Sequence, residues 1–205
     1  MGIPHLFRHF ARRCPRSVRI VEGERDMESY SHLYVDFNSV IHGCARSLEY
    51  SEATKHDFES RVVKSCIEHV DHLIRTIRPS SLVYLAIDGK PPRGKMHQQR
   101  CRRFMSAASR SETEWDTNAV TPGTKFMTYL SETLRNEAKA RNDERGGATW
   151  IVSGSDETGE GEQKIFQHAR SSLGTAGERV ALYGLDADLM LMAISFLRKN
   201  IAITS

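Results

Sequence analysis

Short apolar runs alternate with longer amphipathic stretches along the whole chain. Five runs rich in β-branched or apolar residues read as strands, at 33–37, 82–87, 149–152, 180–183 and 201–204. The clearest helix covers 58–77, where Phe58, Val62, Val63, Cys66, Ile67, Val70, Leu73, Ile74 and Ile77 fall on one stripe. Pro79 stops it, because proline has no amide hydrogen and its ring clashes with the preceding turn. Further helices are expected at 95–104, 123–140, 161–173 and 187–197, while 141–147 reads as a polar surface loop. Strands alternating with helices predict an α/β fold with a mainly parallel sheet. In such sheets functional residues gather beyond the carboxyl ends of the strands.

The expected strand ends carry acids. Asp36 follows Leu33-Tyr34-Val35, and Asp88 follows Tyr84-Leu85-Ala86-Ile87. Glu160 and Glu162 lie in Gly159-Glu160-Gly161-Glu162, shortly after the third strand, and Asp186 and Asp188 come shortly after the fourth. Taken singly, an Asp after a strand is an ordinary helix cap, and Gly-Glu-Gly-Glu is an ordinary solvated turn. Acids delivered by four strand ends of one parallel sheet converge, which capping does not require. A buried carboxylate needs a partner or a cation. Hard cations such as Mg²⁺ take oxygen ligands, and two of them about 3.5–4 Å apart suit in-line phosphoryl displacement. Gly159 and Gly161 fit a backbone brought close to a phosphate or metal, where a Cβ would be in the way.

Charge changes the picture through its placement. A formal net charge of +3 says little about a nucleic-acid partner. Between Gly89 and Ser111, however, there are seven cations (Lys90, Arg93, Lys95, Arg100, Arg102, Arg103, Arg110) and no acid. Lys95, Gln99, Arg102 and Arg103 share one helix face at i, i+4, i+7 and i+8. Three cations and an amide there suit a terminal phosphate, although a solvated basic face has the same spacing. Asp88 immediately precedes this segment, which favours phosphate.

Beyond these residues, composition mainly excludes. No apolar run approaches the roughly 18 residues of a membrane span, so no membrane role is expected. The opening Met1-Gly2-Ile3-Pro4-His5 lacks a signal-peptide core, and Leu6 stands where a myristoylation site wants Ser or Thr. Cys14, Cys44, Cys66 and Cys101 form no CxxC pair and read as reduced thiols of an intracellular protein, cytoplasmic or nuclear. His69 and His72 read as exposed helix residues and Trp150 as core, while Trp115, in a polar stretch, could pack or stack on a base.

Several stretches together resemble the XRN 5′→3′ exoribonuclease family. They are the opening Met1-Gly2-Ile3-Pro4, Tyr34 to His42, Ile77-Arg78-Pro79, Ile87 to Phe104, Thr121 to Thr124, Gly159 to Ile165 and Tyr183 to Leu189, in the family's order. The resemblance implies a Rossmann-like domain related to PIN and flap-nuclease folds. It implies one nuclease domain over 1–205 with a basic helical segment at about 93–110. Asp36, Asp88, Glu160, Glu162, Asp186 and Asp188 would be the catalytic, metal-binding acids for two Mg²⁺ ions, with Mn²⁺ as a substitute. Lys95, Gln99, Arg102 and Arg103 would accept a 5′-monophosphate and exclude capped or triphosphate ends. His42, on the helix after the first strand, would stack on the first base. The substrate would be single-stranded RNA with a 5′-monophosphate, released as nucleoside 5′-monophosphates.

Ser39, Thr158 and Gln163 stand where the family usually has Gly, Pro and His, and none is a ligand position. Family members also carry a further metal-site Asp and an aromatic residue opposite the histidine, neither of which has a counterpart in these 205 residues. That leaves two rivals: a 5′-end-binding or scaffolding core completed by a protein partner, and a flap-type DNA nuclease.

Overall fold

The computed structural model describes residues 9, 12–13, 30–111, 113–144, 146–173, 178–184, 187–195 and 201–204. The elements follow the expected alternation: β1 (His32–Asp36), α1 (Phe37–Ser47), α2 (Phe58–Ile77), β2 (Leu82–Ala86) and α3 (Arg93–Ser109). A 3₁₀ turn at Thr117–Ala119 precedes α4 (Lys125–Asp143), β3 (Thr149–Ser153), α5 (Gly161–Ser172), β4 (Val180–Tyr183), α6 (Ala187–Ser195) and β5 (Ile201–Thr204). All pairings are parallel, and the sheet order is β3-β2-β1-β4-β5. The chain therefore winds one way from β1 and then returns to β1's other side, placing a topological switch point between β1 and β4.

Side-chain alternation along each strand divides the core into two layers. Leu33, Val35, Val83 and Leu85 face a cluster completed by α1, α2 and α4. Tyr34, Tyr84, Ala86 and Leu182 face the other way, onto Ile165, Phe166 and Ala169 of α5 and Leu189 of α6. Helices thus cover both faces, as a central parallel sheet requires. The expected Rossmann-like α/β class is the one observed.

The differences from the sequence reading have local causes. Phe37 is the first residue of α1, not the end of β1. Asp36 takes the N-cap position and the strand passes straight into a helix whose stripe is Phe37, Val40, Ile41 and Cys44. Residues 141–143 belong to α4 and not to a loop. Arg141 reaches Asp71 at 2.7 Å and lies over the half-buried Trp150 ring, and Asn142 caps edge strand β3 through bonds to Trp150 N and O. His69 is not exposed: it is half-buried, with Nε2 2.9 Å from the Tyr183 hydroxyl, whereas His72 is exposed. Trp115 packs between the rings of Phe58 and Phe126, both 5.4 Å away. Cys44, Cys66 and Cys101 are free thiols, and Cys14 lies outside the described residues. No helix among the described residues is long and apolar enough to cross a membrane.

Candidate active site

Three strand-to-helix junctions meet at the carboxyl edge of the sheet. Asp36 ends β1 and is 7 % exposed; Asp88 lies two residues past β2; Glu160 is the N-cap residue of α5, with Glu162 in its first turn. Gly161 sits among them. Its amide donates to Asp88 Oδ1 at 2.6 Å, and a Cβ there would stand 2.7 Å from Asp36 Oδ1 and 3.3 Å from Asp88 Oδ1. Both aspartates therefore press against one glycine that no other residue could replace without displacing them. Asp188 lies in α6 beyond the end of β4, and Asp186 falls outside the described residues.

Asp88 is held from several sides. Asn38 Oδ1 accepts its backbone N–H at 2.9 Å. Gly89 N donates to Gly159 O at 2.9 Å and Gly159 N to Lys90 O at 3.0 Å, which ties the 88–90 segment to the loop before α5. Gly159 adopts φ +109°, and a Cβ on Gly89 would overlap the Glu157 carbonyl. Lys164, buried at 6 % exposure, donates to Ile87 O at 2.8 Å and Gly154 O at 2.7 Å. Burial raises the Asp88 pKa and Glu160's charge adds to this, while the Gly161 amide, Lys164 and Lys95 oppose it. Burial also lowers the pKa of Lys164.

The basic helix turns inward most of the face expected from its spacing, with Ser106 in place of Arg102. α3 has no fully buried residue, but Lys95, Gln99, Arg103 and Ser106 are half-buried while their neighbours are exposed. Gln99, Arg102 and Arg103 line a cavity of about 220 Å³ together with Asn38, His42, Asp88, Thr117 and Asn118. Arg103 donates to Gln99 Oε1 at 3.2 Å, and Asn118 holds the Arg103 carbonyl at 3.4 Å. Among the described residues neither Arg102 nor Arg103 is paired with a carboxylate. Lys95 does not line this cavity. Its ammonium lies 2.7 Å from Glu160 Oε2 and 3.7 Å from Glu162 Oε1.

His42 opens onto this cavity and onto a wider groove of about 970 Å³ that also takes in Asp36, Asp88, Glu162, Arg46 and Trp115. Burial lowers the His42 pKa, and the charges of Arg46 and Arg102 push it further down. A neutral imidazole at neutral pH is suited to stacking on a base.

Carboxylate oxygens are the donors a hard divalent cation takes, so the chemistry of Asp36, Asp88, Glu160 and Glu162 fits one. Among the described residues, no group of three or more His, Cys, Asp or Glu is drawn into a ready coordination set. Asn38, Lys164 and the Thr117–Asn118 wall were not singled out from the sequence. Asn38 stands inside the 34–42 stretch and Lys164 inside 159–165, but Asn38's partner is 50 residues away, and Lys164's nearer acceptor belongs to Gly154 on a neighbouring strand's exit loop.

A family model described as the XRN 5′-3′ exonuclease N-terminus matches residues 1–204. The chain is 36% identical over 217 residues to 5′-3′ exoribonuclease 1 of Saccharomyces cerevisiae, an alignment covering 95% of this chain and 14% of that protein. Identity to 5′-3′ exoribonuclease 1 of Homo sapiens is 31%, over 95% of this chain and 13% of the relative. With 5′-3′ exoribonuclease 2 of Candida albicans it is 30%, over 95% and 25% respectively. The chain thus spans a quarter or less of the length of these relatives. The matched span runs through every junction that builds the acidic cleft and the basic cavity, and this chain belongs to the XRN 5′→3′ exonuclease family, corresponding to its N-terminal region.

Proposed function

We propose that the chain is one nuclease domain that removes nucleotides from the 5′-monophosphate end of single-stranded RNA, releasing nucleoside 5′-monophosphates. The observation that carries this reading is adjacency. Asp88 belongs to the acidic junction and also lines the cavity formed by Gln99, Arg102 and Arg103. A 5′-phosphate held by two guanidiniums and an amide would set the first phosphodiester beside the carboxylates. Ser106 and Thr117, whose hydroxyls lie 3.2 Å apart, line the same small cavity of about 220 Å³, a size that would suit a single phosphate. His42 would stack on the first base and so fix the sugar between the two sites.

Asp36, Asp88, Glu160 and Glu162, with Asp186 and Asp188, would hold Mg²⁺, or Mn²⁺ in its place. When bound there, such ions would supply Lewis acidity for phosphodiester hydrolysis. The protein's own contribution is rigid placement. Asn38, Gly161 and Lys164 hold Asp88 and its strand end, and the Gly89–Gly159 backbone bonds hold the loop that carries Glu160.

The test is degradation of 5′-labelled single-stranded RNA with Mg²⁺, comparing monophosphate and hydroxyl ends. Mononucleotide release from the monophosphate substrate alone is expected. Asp88→Ala should abolish it, and Arg102→Ala should weaken it roughly 10- to 100-fold through KM, the value of a charged hydrogen bond. Cleavage indifferent to the 5′ end, or preferring DNA flaps, would overturn the reading. Phosphate-dependent binding without release would mean a 5′-end-binding core that needs a protein partner for turnover.

A further inference from the structure

The position of Lys95 separates it from the residues with which it shares a helix face. Gln99 and Arg103, one and two turns further along α3, line the cavity, whereas Lys95 reaches the acids. Its side chain is 37 % exposed, against 8 % for Glu160 and 14 % for Glu162. A nearly buried carboxylate such as Glu160 requires a counter-charge, and here the ammonium supplies it, supported by Gln163 Nε2 at 3.4 Å from the same oxygen. The lysine side chain is more exposed than either carboxylate it meets, and α3 has no fully buried residue. An ammonium is a point charge on a flexible four-carbon stem and does not demand one geometry. Carboxylates wanted by a divalent cation are thus held by a displaceable charge, next to a cavity built for a phosphate.

We propose that Lys95 is an exchangeable counterion. It occupies Glu160 and Glu162 when no divalent cation is bound and moves to the 5′-phosphate when a cation takes over those carboxylates. This rests on the function proposed above and adds its regulation. A cation that binds releases Lys95 for the phosphate; a phosphate that draws Lys95 away clears the carboxylates for the cation. The two ligands then raise each other's affinity by the same factor, because coupling between binding sites is reciprocal. The consequence is that the carboxylates fill with metal preferentially when a 5′-phosphorylated end is in place.

The experiment measures binding, not turnover. Mn²⁺ is titrated into the full chain with and without adenosine 5′-monophosphate, and the nucleotide is titrated with and without Mn²⁺. In the unaltered protein each ligand should tighten the other roughly 10-fold, within the usual range of coupling between sites. Lys95→Met should bind Mn²⁺ alone several-fold more tightly, bind the nucleotide more weakly, and lose most of the coupling. Its fold should be intact by circular dichroism, because the side chain lies outside the core. Lys90→Met removes the same charge from an exposed neighbour and should leave Mn²⁺ affinity within about two-fold. Mn²⁺ affinity that is unchanged or weaker in Lys95→Met would overturn the exchange. So would an equal gain in Lys90→Met, which would indicate a general charge effect. If both ligands bind independently in the unaltered protein, the exchange fails and the proposed function stands. If neither binds, both fail.

Discussion

Lys164 offers a test of the architecture that is separate from the chemistry. It lies one turn after Glu160 on the inner side of α5, beside the core residues Ile165, Phe166 and Ala169. Its ammonium reaches Ile87 O and Gly154 O, just beyond the point where β2 and β3 part company; Ile87 N still donates to Ser153 O at 2.9 Å. Replacing it with Met keeps length and approximate volume and deletes the donors. Two bonds from a charged donor, each contributing about 1.5–3 kcal/mol, are lost; Ile87 O loses its ammonium partner, while Gly154 O keeps the Glu157 N–H at 3.2 Å. Against this stands the cost of burying the ammonium, several kcal/mol, which the variant no longer bears. The nearby Asp88, Asp156 and Glu157 charges reduce that cost in the native protein. We expect a net loss of about 3 kcal/mol. For a chain of 205 residues this lowers the melting temperature by about 6–12 °C. Urea denaturation followed by far-ultraviolet circular dichroism should show a lower midpoint and an unchanged slope. A Lys164→Met protein within about 1 kcal/mol of the parent would refute the reasoning. It would show that desolvation cancels the two bonds and that the lysine does not hold the strand ends together.

Two further outcomes follow from particular contacts. Gly89→Ala places a Cβ onto the Glu157 carbonyl, so the loop leading to Glu160 must shift. The exonuclease activity proposed above should fall at least about 100-fold with helical content retained, since small displacements at a reacting centre have large effects. Gly43→Ala, on α1 with no atom within 4 Å of the new methyl, should be neutral or stabilising by about 0.5–1 kcal/mol. Acid should also weaken the fold. Burial lowers the pKa of His69 and His168 in the folded protein. The unfolded chain therefore takes up protons more readily, and stability present above about pH 6.5 is lost as pH falls through that value toward the folded pKa. Melting temperatures between pH 7.5 and 5.5 should decline, less steeply in His69→Gln; a flat profile would show that these histidines titrate as if free.

The sequence by itself determined the alternation of elements and which residues could carry chemistry. Helix α2 was legible residue for residue because its stripe repeats every three to four positions and Pro79 ends it. The strands were legible because branched apolar runs are short and bounded, and Asp36, Asp88, Glu160 and Glu162 stood out because they follow the ends of three of them. The junction at Phe37 was less legible, since a strand and a helix with abutting apolar positions show no break in pattern. The partners were illegible. Asn38 with Asp88, Lys164 with Gly154 and Ile87, Lys95 with Glu160, and His69 with Tyr183 join residues separated by 10 to 114 positions. Periodicity encodes only neighbours within one element. Which strand lies beside which, and hence whether a lysine on a basic helix meets a phosphate cavity or a pair of carboxylates, is decided when the sheet assembles in the order β3-β2-β1-β4-β5 and brings its loop ends to one edge.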